Sequence, residues 1–266
     1  MSFSSPSFAA PLSDALRLDA CEAVLFDLDG TLADTAPDLA AAVNKMQRTR
    51  GVAETPLDAL RPLASAGARG LIGSAFGIVP ADAEYDALRD EFLANYAVDL
   101  CVHTTLFPGI GALLDDLDAR GVRWGIVTNK AARFTDPLVA LLGLAGRAAC
   151  VVSGDTASHP KPHPAPLLYA AERLSLTPAR IVYVGDDLRD IQAGSAAGMP
   201  TVAAAYGYCG DGAAPVDWQA HHLVGTTGEL LRLLRALRYN DGSAGGDLVS
   251  TGVVKRLGHV EDPSPR

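Results

Sequence analysis

Short apolar runs alternate with amphipathic stretches along most of the chain, and this rhythm predicts alternating strands and helices. The first run, Ala23–Leu28 in AVLFDLDGTLADT, reads as a buried strand ending in two aspartates two residues apart, then Gly-Thr. Further runs predict strands at Trp124–Thr128, Ala149–Ser153, Ile181–Val184 and Thr201–Ala205. Between them, apolar residues at helical spacing predict helices over Ile110–Arg120, from about Thr135 to Leu142, over Ala165–Ser175 and Leu188–Ala197, and a last one over Thr227–Leu237. Strands separated by helices of this length make a parallel, doubly wound sheet, an α/β fold.

The rhythm is interrupted over residues 37–107. This stretch is rich in Ala and Leu with charges at helical spacing: DLAAAVNKMQRTRG, LDALRPLASAGARGLIGSAFG and ADAEYDALRDEFLANYAVDL, with Gly51 and Gly77 as helix stops. It predicts a helical unit inserted into a core made of 20–36 and 108–239. Residues 1–19, rich in Ser, Pro and Ala, read as a flexible extension, and Gly-, Ser- and Asp-rich 240–266 as a disordered tail.

Composition changes the picture in three ways. Hydrophobic residues make up 48% of the 266-residue chain, enough for a sizeable core. The net charge of −9 argues against nucleic acid as partner, because phosphate backbones require a basic face, but not against a small anionic substrate. The cysteines, Cys21, Cys101, Cys150 and Cys209, form no CxxC pair, so reduced thiols in a cytosol are expected rather than zinc or disulfides. No apolar run approaches the ~20 residues of a membrane helix, and the amino terminus does not resemble a secretory signal. A cytoplasmic chain with no membrane partner is expected. The sequence sets no oligomeric state.

Ligands of an open parallel sheet bind outside the carboxyl ends of its strands, and the polar residues collect there. The first strand ends in Asp27 and Asp29, which share a face because strand side chains alternate. RWGIVTNK ends in Thr128, Asn129 and Lys130; VSGDTASHPKPHP leads to Lys161; IVYVGDDLRD ends in Asp186, Asp187 and, a helical turn on, Asp190. So many carboxylates at one edge require a cation, and a hard cation such as Mg²⁺ takes carboxylates, water and substrate phosphate. The backbone carbonyl of Asp29 offers one more oxygen. Thr128, with the N–H groups of a helix start, is a phosphate seat, and Lys161 adds a point charge. The set reads as a Mg²⁺-dependent phosphoryl-transfer site with Asp27 as nucleophile and Asp29 as general acid, then base.

DLDGT, IVTNK, the lysine of HPKPHP and VGDDLRD together resemble, in order and character, the haloacid dehalogenase-like superfamily of phosphatases over roughly residues 23–222. The resemblance implies a Rossmann-like core with an inserted helical cap, an aspartyl-phosphate on Asp27, acid–base catalysis by Asp29, and phosphate held by Thr128 and Lys161. It also implies Mg²⁺ held by Asp27, Asp29 and Asp186. Asp187 stands where a serine is common, Asp190 is a supporting acid, and Asn129 supports the site from behind. Because dehalogenase members lack the second aspartate of the first motif, Asp29 favours a phosphatase. Within the superfamily the chain resembles bacterial phosphoglycolate phosphatases. LRDEFLANYAVDLCVHTTLFPGI, RWGIVTNKAARFTDPL and VGDDLRDIQAGSAAGM are closer still to a branch associated with N-acetylmuramate 6-phosphate in cell-wall recycling. The expected partner is thus a small phosphate ester. A sugar phosphomutase on the same scaffold and a non-catalytic binding relative are the alternatives; the latter predicts loss of at least one of Asp27, Asp29, Lys161 or Asp186, all present.

Singly, each motif has a plainer reading: DLDGTLADT as strand, turn and capped helix, and GDDLRD as a helix cap. Their coincidence at successive strand ends carries the chemistry. GIG at Gly109–Gly111 follows no strand and is no dinucleotide fingerprint. Asn129 and Lys130 line the site or cap the next helix. His159, His163, His221 and His222 read as surface loop residues. In the insert, Ser65, Gly67 and Arg69 of SAGARG stand out, glycines flanking an arginine in a helical region; this turn is expected to dip toward the site, with Arg69 holding a substrate carboxylate or sugar oxygen.

Overall fold

The computed structural model describes residues 21–236, so the extension expected over 1–19 and the tail expected over 240–266 lie outside them. A parallel sheet runs through the middle, in the order β5-β4-β1-β6-β7-β8. Its strands are β1 (Ala23–Phe26), β4 (Arg123–Val127), β5 (Val151–Val152), β6 (Ile181–Gly185), β7 (Thr201–Ala204) and β8 (His222–Val224). β1 is fully buried, and its side chains divide between the faces. Val24 and Phe26 join the cluster beneath the insert, while Ala23 and Leu25 pack with Leu167, Ala170 and Tyr183 on the other side. This two-sided burial is why the strand reads as a continuous apolar run.

Helices α5 (Ile110–Ala119), α6 (Ala132–Leu141), α7 (Ala165–Leu174), α8 (Leu188–Ala197) and α9 (Thr227–Ala236) connect and flank the strands. The chain builds β1, then β4 and β5 outward on one side, then returns across to β6 on the other. The strand order therefore reverses beside β1, and the carboxyl ends of β1, β4 and β6 open onto one crevice.

The insert leaves through β2 (Ala33–Asp34) and returns through β3 (Thr105–Leu106), which pair antiparallel. Between them lie α1 (Ala36–Thr49), α2 (Leu57–Leu60), a 3-10 turn at Arg61–Ala66, α3 (Gly67–Phe76) and α4 (Tyr85–Val98). The expected stops hold: Gly77 closes α3 in the left-handed conformation, and Gly51 follows α1 with φ of 67°. Two devices clamp the way in and out. The Tyr208 hydroxyl accepts from the N–H groups of Thr35 (2.7 Å) and Ala36 (2.9 Å) at the start of α1. The buried Asp38 carboxylate accepts from the backbone of Val102, His103 and Thr104 and from the Thr104 hydroxyl at 2.7 to 3.0 Å.

Three expectations shift. Helix α6 starts at Ala132 rather than near Thr135, because the Asp155 carboxylate, far off in sequence, accepts from the Ala132 N–H at 2.9 Å. The two-residue β2 and β3 carry no periodic signal. His222 opens β8 rather than sitting in a loop, and the half-buried His221 accepts from the Thr201 N–H through Nδ1 at 3.1 Å. Among the described residues, no helix is long and apolar enough to cross a membrane.

Asp38→Ala removes the acceptor of three backbone N–H groups and of the buried Thr104 hydroxyl, and so releases the turn that leads back to β3. It should cost roughly 3 kcal/mol or more of stability, read by chemical denaturation; a loss well below that would show the clamp to be dispensable.

Candidate active site

Asp27 follows β1 directly, and its N–H donates to Val184 O on β6 (2.9 Å), which seats its side chain at the sheet's edge. Its Oδ1 accepts from the Leu28 N–H (2.7 Å) and pairs with Lys161 Nζ (2.9 Å). One oxygen of the carboxylate is thus fixed on two sides. Lys161 is buried, and its ammonium also donates to Val127 O (3.0 Å), the Tyr183 hydroxyl (2.8 Å) and Asp190 Oδ1 (2.7 Å). Burial alone would push its proton off, but Asp190 and Asp27 more than reverse this and hold its pKa above the ordinary lysine value.

Asp27, Asp186 and Asp190 each bring one carboxylate oxygen within 4.8 Å of the other two, and all three are buried. Burial pushes the Asp27 pKa up to about 7 against the pull of Lys161, with Asp190 and Asp29 adding to the rise. Burial, then Asp27 and Asp190, drive Asp186 well above the usual carboxylate range. Asp186 is itself tied down by donors from Thr31 Oγ1 (2.8 Å) and the Tyr208 N–H (2.9 Å). An all-oxygen set of this kind, crowded and desolvated, suits a hard cation that would replace the shared protons.

Gly30 makes this possible. It turns at φ of 85°, and a Cβ there would lie 2.1 Å from Asp186 Oδ2. Glycine is required both for the turn and for the approach of β6's carboxylate to β1.

Asp29 points elsewhere. Its Oδ1 takes the Thr35 hydroxyl and pairs with Lys130 Nζ at 3.1 Å. The Asp29 carboxylate, expected among the metal ligands, is therefore not in the acidic cluster, whose third carboxylate is Asp190. The Thr128 hydroxyl accepts from the Lys130 N–H (3.2 Å), while its own N–H is spent on Val152 O (2.9 Å). The Ala132 N–H at the helix start is likewise taken, by Asp155. Asn129 does not cap α6. Its amide exchanges two bonds of 2.9 Å with the Lys161 backbone and fixes the lysine loop against β4.

Asp187 and Asp190 form a capping box at α8, so the plain reading of GDDLRD holds alongside the chemical one. Arg189 clamps Asp187 with two donors at 2.8 Å and reaches Ser65 O of the insert at 2.8 Å. Ser65 and Gly67 line a cavity of about 400 Å³ shared by Asp27, Asp29, Thr128 and Lys161, as the dipping turn predicted. Arg69 does not: it is exposed and absent from the lining, because α3 carries it past the turn and away from the crevice. Lys130, Arg189 and Tyr183 are the site residues the motifs underplayed. Arg189 lies inside GDDLRD, and Tyr183 is a polar tip in an otherwise apolar strand, a signal in itself.

Residues 24–204 match the family model described as haloacid dehalogenase-like hydrolase. A Pseudomonas putida protein named N-acetylmuramic acid 6-phosphate phosphatase is 42% identical over 212 residues, covering 80% of this chain and 95% of its own. A Xanthomonas campestris phosphoglycolate phosphatase is 46% identical over 202 residues, 76% of this chain and 91% of its own. A crystal structure described as a predicted phosphoglycolate phosphatase from Haemophilus somnus superposes with a TM-score of 0.71 at 26% identity, covering 80% of this chain and 98% of its own.

Gly30→Ala should leave a folded protein that has lost divalent-cation binding, measured by calorimetry, because the new Cβ displaces Asp186; unchanged binding would contradict the assigned packing.

Proposed function

The chain belongs to the haloacid dehalogenase-like hydrolase family, and from that premise we propose that it hydrolyses a small phosphate monoester through an aspartyl-phosphate on Asp27, with Mg²⁺ as cofactor. The observation that carries this is the convergence of Asp27, Asp186, Asp190 and Lys161 from separate strand ends on one buried point.

Asp27 attacks phosphorus with the oxygen not held by Lys161, forming the acyl-phosphate bond as the ester P–O bond breaks. Asp29 gives a proton to the departing alkoxide, then takes one from the water that attacks phosphorus and frees Asp27. Lys130 and Thr35 hold the Asp29 carboxyl in place for both transfers. Lys161 and the Thr128 hydroxyl face the phosphoryl oxygens and offset the charge that grows on them. Asp27, Asp186 and the Asp29 carbonyl would hold Mg²⁺, which would supply Lewis acidity at the phosphoryl oxygens. Asp190 orients Lys161. The insert serves as the cap over this crevice, with Ser65 and Gly67 on the substrate side. Our reading puts the reaction in the cytosol; the free thiols of Cys21, Cys101, Cys150 and Cys209 are compatible with that setting.

2-Phosphoglycolate is the first substrate reading, since relatives of that name align over most of the chain. The cavity of about 400 Å³ favours a second, N-acetylmuramate 6-phosphate, because it is the size that larger ligands fill. A phosphate-release panel holding both esters, ranked by kcat/KM, decides between them.

Asp27→Asn should lower turnover by at least about 10⁴-fold with the fold intact by circular dichroism; retained activity overturns the covalent mechanism. EDTA should silence the enzyme and Mg²⁺ restore it. The pH dependence has a defined sign. The Asp27 pKa of about 7 in the metal-free fold lies above the unfolded value of about 4, so metal-free stability falls as pH rises between them. The cation replaces the proton, and the rise in Tm that Mg²⁺ produces should be larger near about pH 8 than near about pH 5.5. An equal rise at both would contradict the protonated metal-free site.

A further inference from the structure

The Thr35 hydroxyl does not cap the helix it begins. Thr35 is the N-cap of α1, where a threonine side chain ordinarily accepts from the first N–H groups of its own helix, and it makes no such bond. Fully buried, it donates to Asp29 Oδ1 instead. The capping falls to Tyr208, in the loop after β7 and 173 residues further along the chain. The Tyr208 hydroxyl accepts from the Thr35 N–H (2.7 Å) and the Ala36 N–H (2.9 Å) and donates to Asp34 Oδ1 (3.0 Å). Two accepted bonds and one donated bond use the full capacity of a phenol. Burial pushes its pKa far above the ordinary tyrosine value, so it stays protonated and keeps its bond to Asp34.

The rest of Tyr208 is fixed on the acidic cluster. Its N–H donates to Asp186 Oδ2 at 2.9 Å. Gly207, just before it, packs so closely that a Cβ there would lie 2.3 Å from Gly30 O and from Asp186 Cβ. The Tyr206 hydroxyl donates to Thr31 O at 3.0 Å. Phe107, where the insert returns, lies against both tyrosine rings, 5.5 Å from Tyr206 and 6.2 Å from Tyr208 between centroids. Tyr208 is thus held by its backbone, its ring and its hydroxyl between the acidic cluster and the first turn of α1.

We propose that Tyr208 is a positioning residue for acid–base catalysis. By capping α1 in place of Thr35, it leaves the Thr35 hydroxyl to hold Asp29, the group that protonates the departing alkoxide. It acts through Thr35 rather than on the substrate. Without the phenol oxygen, the first turn of α1 loses its acceptor, and the Thr35 side chain is drawn back to the helix end and away from Asp29. This deepens the phosphatase reading and rests on it.

The test compares two esters by kcat/KM, which reports the step that releases the alcohol. One is the alkyl phosphate that ranks first in the phosphate-release panel, whose alkoxide needs a proton. The other is p-nitrophenyl phosphate, whose phenolate leaves without one. Tyr208→Phe should lower kcat/KM by roughly tenfold to a hundredfold on the alkyl ester and by no more than about threefold on the nitrophenyl ester. Mg²⁺ affinity should hold, because the N–H on Asp186 remains. Thr35→Val breaks the same link from the other side and should show the same split between esters, while Thr35→Ser should restore most of the alkyl activity. The double variant should be no slower than the slower single one, because both remove one device. An equal loss on both esters in either variant, or losses that multiply in the double variant, overturns the role of Tyr208 and leaves the phosphatase reading standing. Release from neither ester by the wild-type enzyme removes that reading, and this one with it.

Discussion

Lys161, buried beside Asp27 and Asp190, is the interaction on which the rest depends. Strand ends converging at a switch point bring carboxylates together, and without a cation they would repel or keep their protons. A single ammonium cannot neutralise Asp27, Asp186 and Asp190 at once, which is why burial still drives the first two toward protonation. The fold thus builds a site whose charge balances only when a second cation enters. The surrounding devices serve the same end: Tyr183 and Val127 O share the ammonium, and Asn129 anchors the loop that carries it. Removing one partner of such a buried set exposes the rest as uncompensated charge.

The site is closed by contacts that cross from sheet to insert. Arg189 holds Ser65 O, Lys130 lies over Tyr96, and Arg61 pairs with Asp34 at 2.6 Å where the insert departs. The insert therefore walls the cavity opposite the strand ends, with Ala64, Ser65, Gly67, Phe92 and Tyr96 along it.

The gathering of polar residues at the strand ends was legible in the sequence because strand ends are local features. Asp27, Thr128 and Asp186 each follow an apolar run directly, and a parallel sheet brings such positions together. What stayed hidden depends on contacts across the chain. Asp155 moves the start of α6 to Ala132. The partner of Asp29 is Lys130, about a hundred residues on, and that pairing leaves Asp190 rather than the Asp29 carboxylate in the acidic cluster. Arg69 misled because spacing by glycines marks a turn without saying which way the next helix carries its side chain. Tyr96 gave no signal, since an aromatic residue on an amphipathic helix reads as core until the cavity it lines is seen.

The central claim is that acidic groups remote in sequence surround one divalent ion with Asp27 facing phosphorus. The most direct measurement is a crystal structure of the protein with Mn²⁺ and beryllium fluoride, a mimic of the phosphorylated aspartate. The account predicts one anomalous manganese peak bonded to Asp27 and Asp186, with the fluoride complex on the Asp27 carboxylate beside Lys161. Manganese bound elsewhere, or a fluoride complex on any other residue, would contradict it.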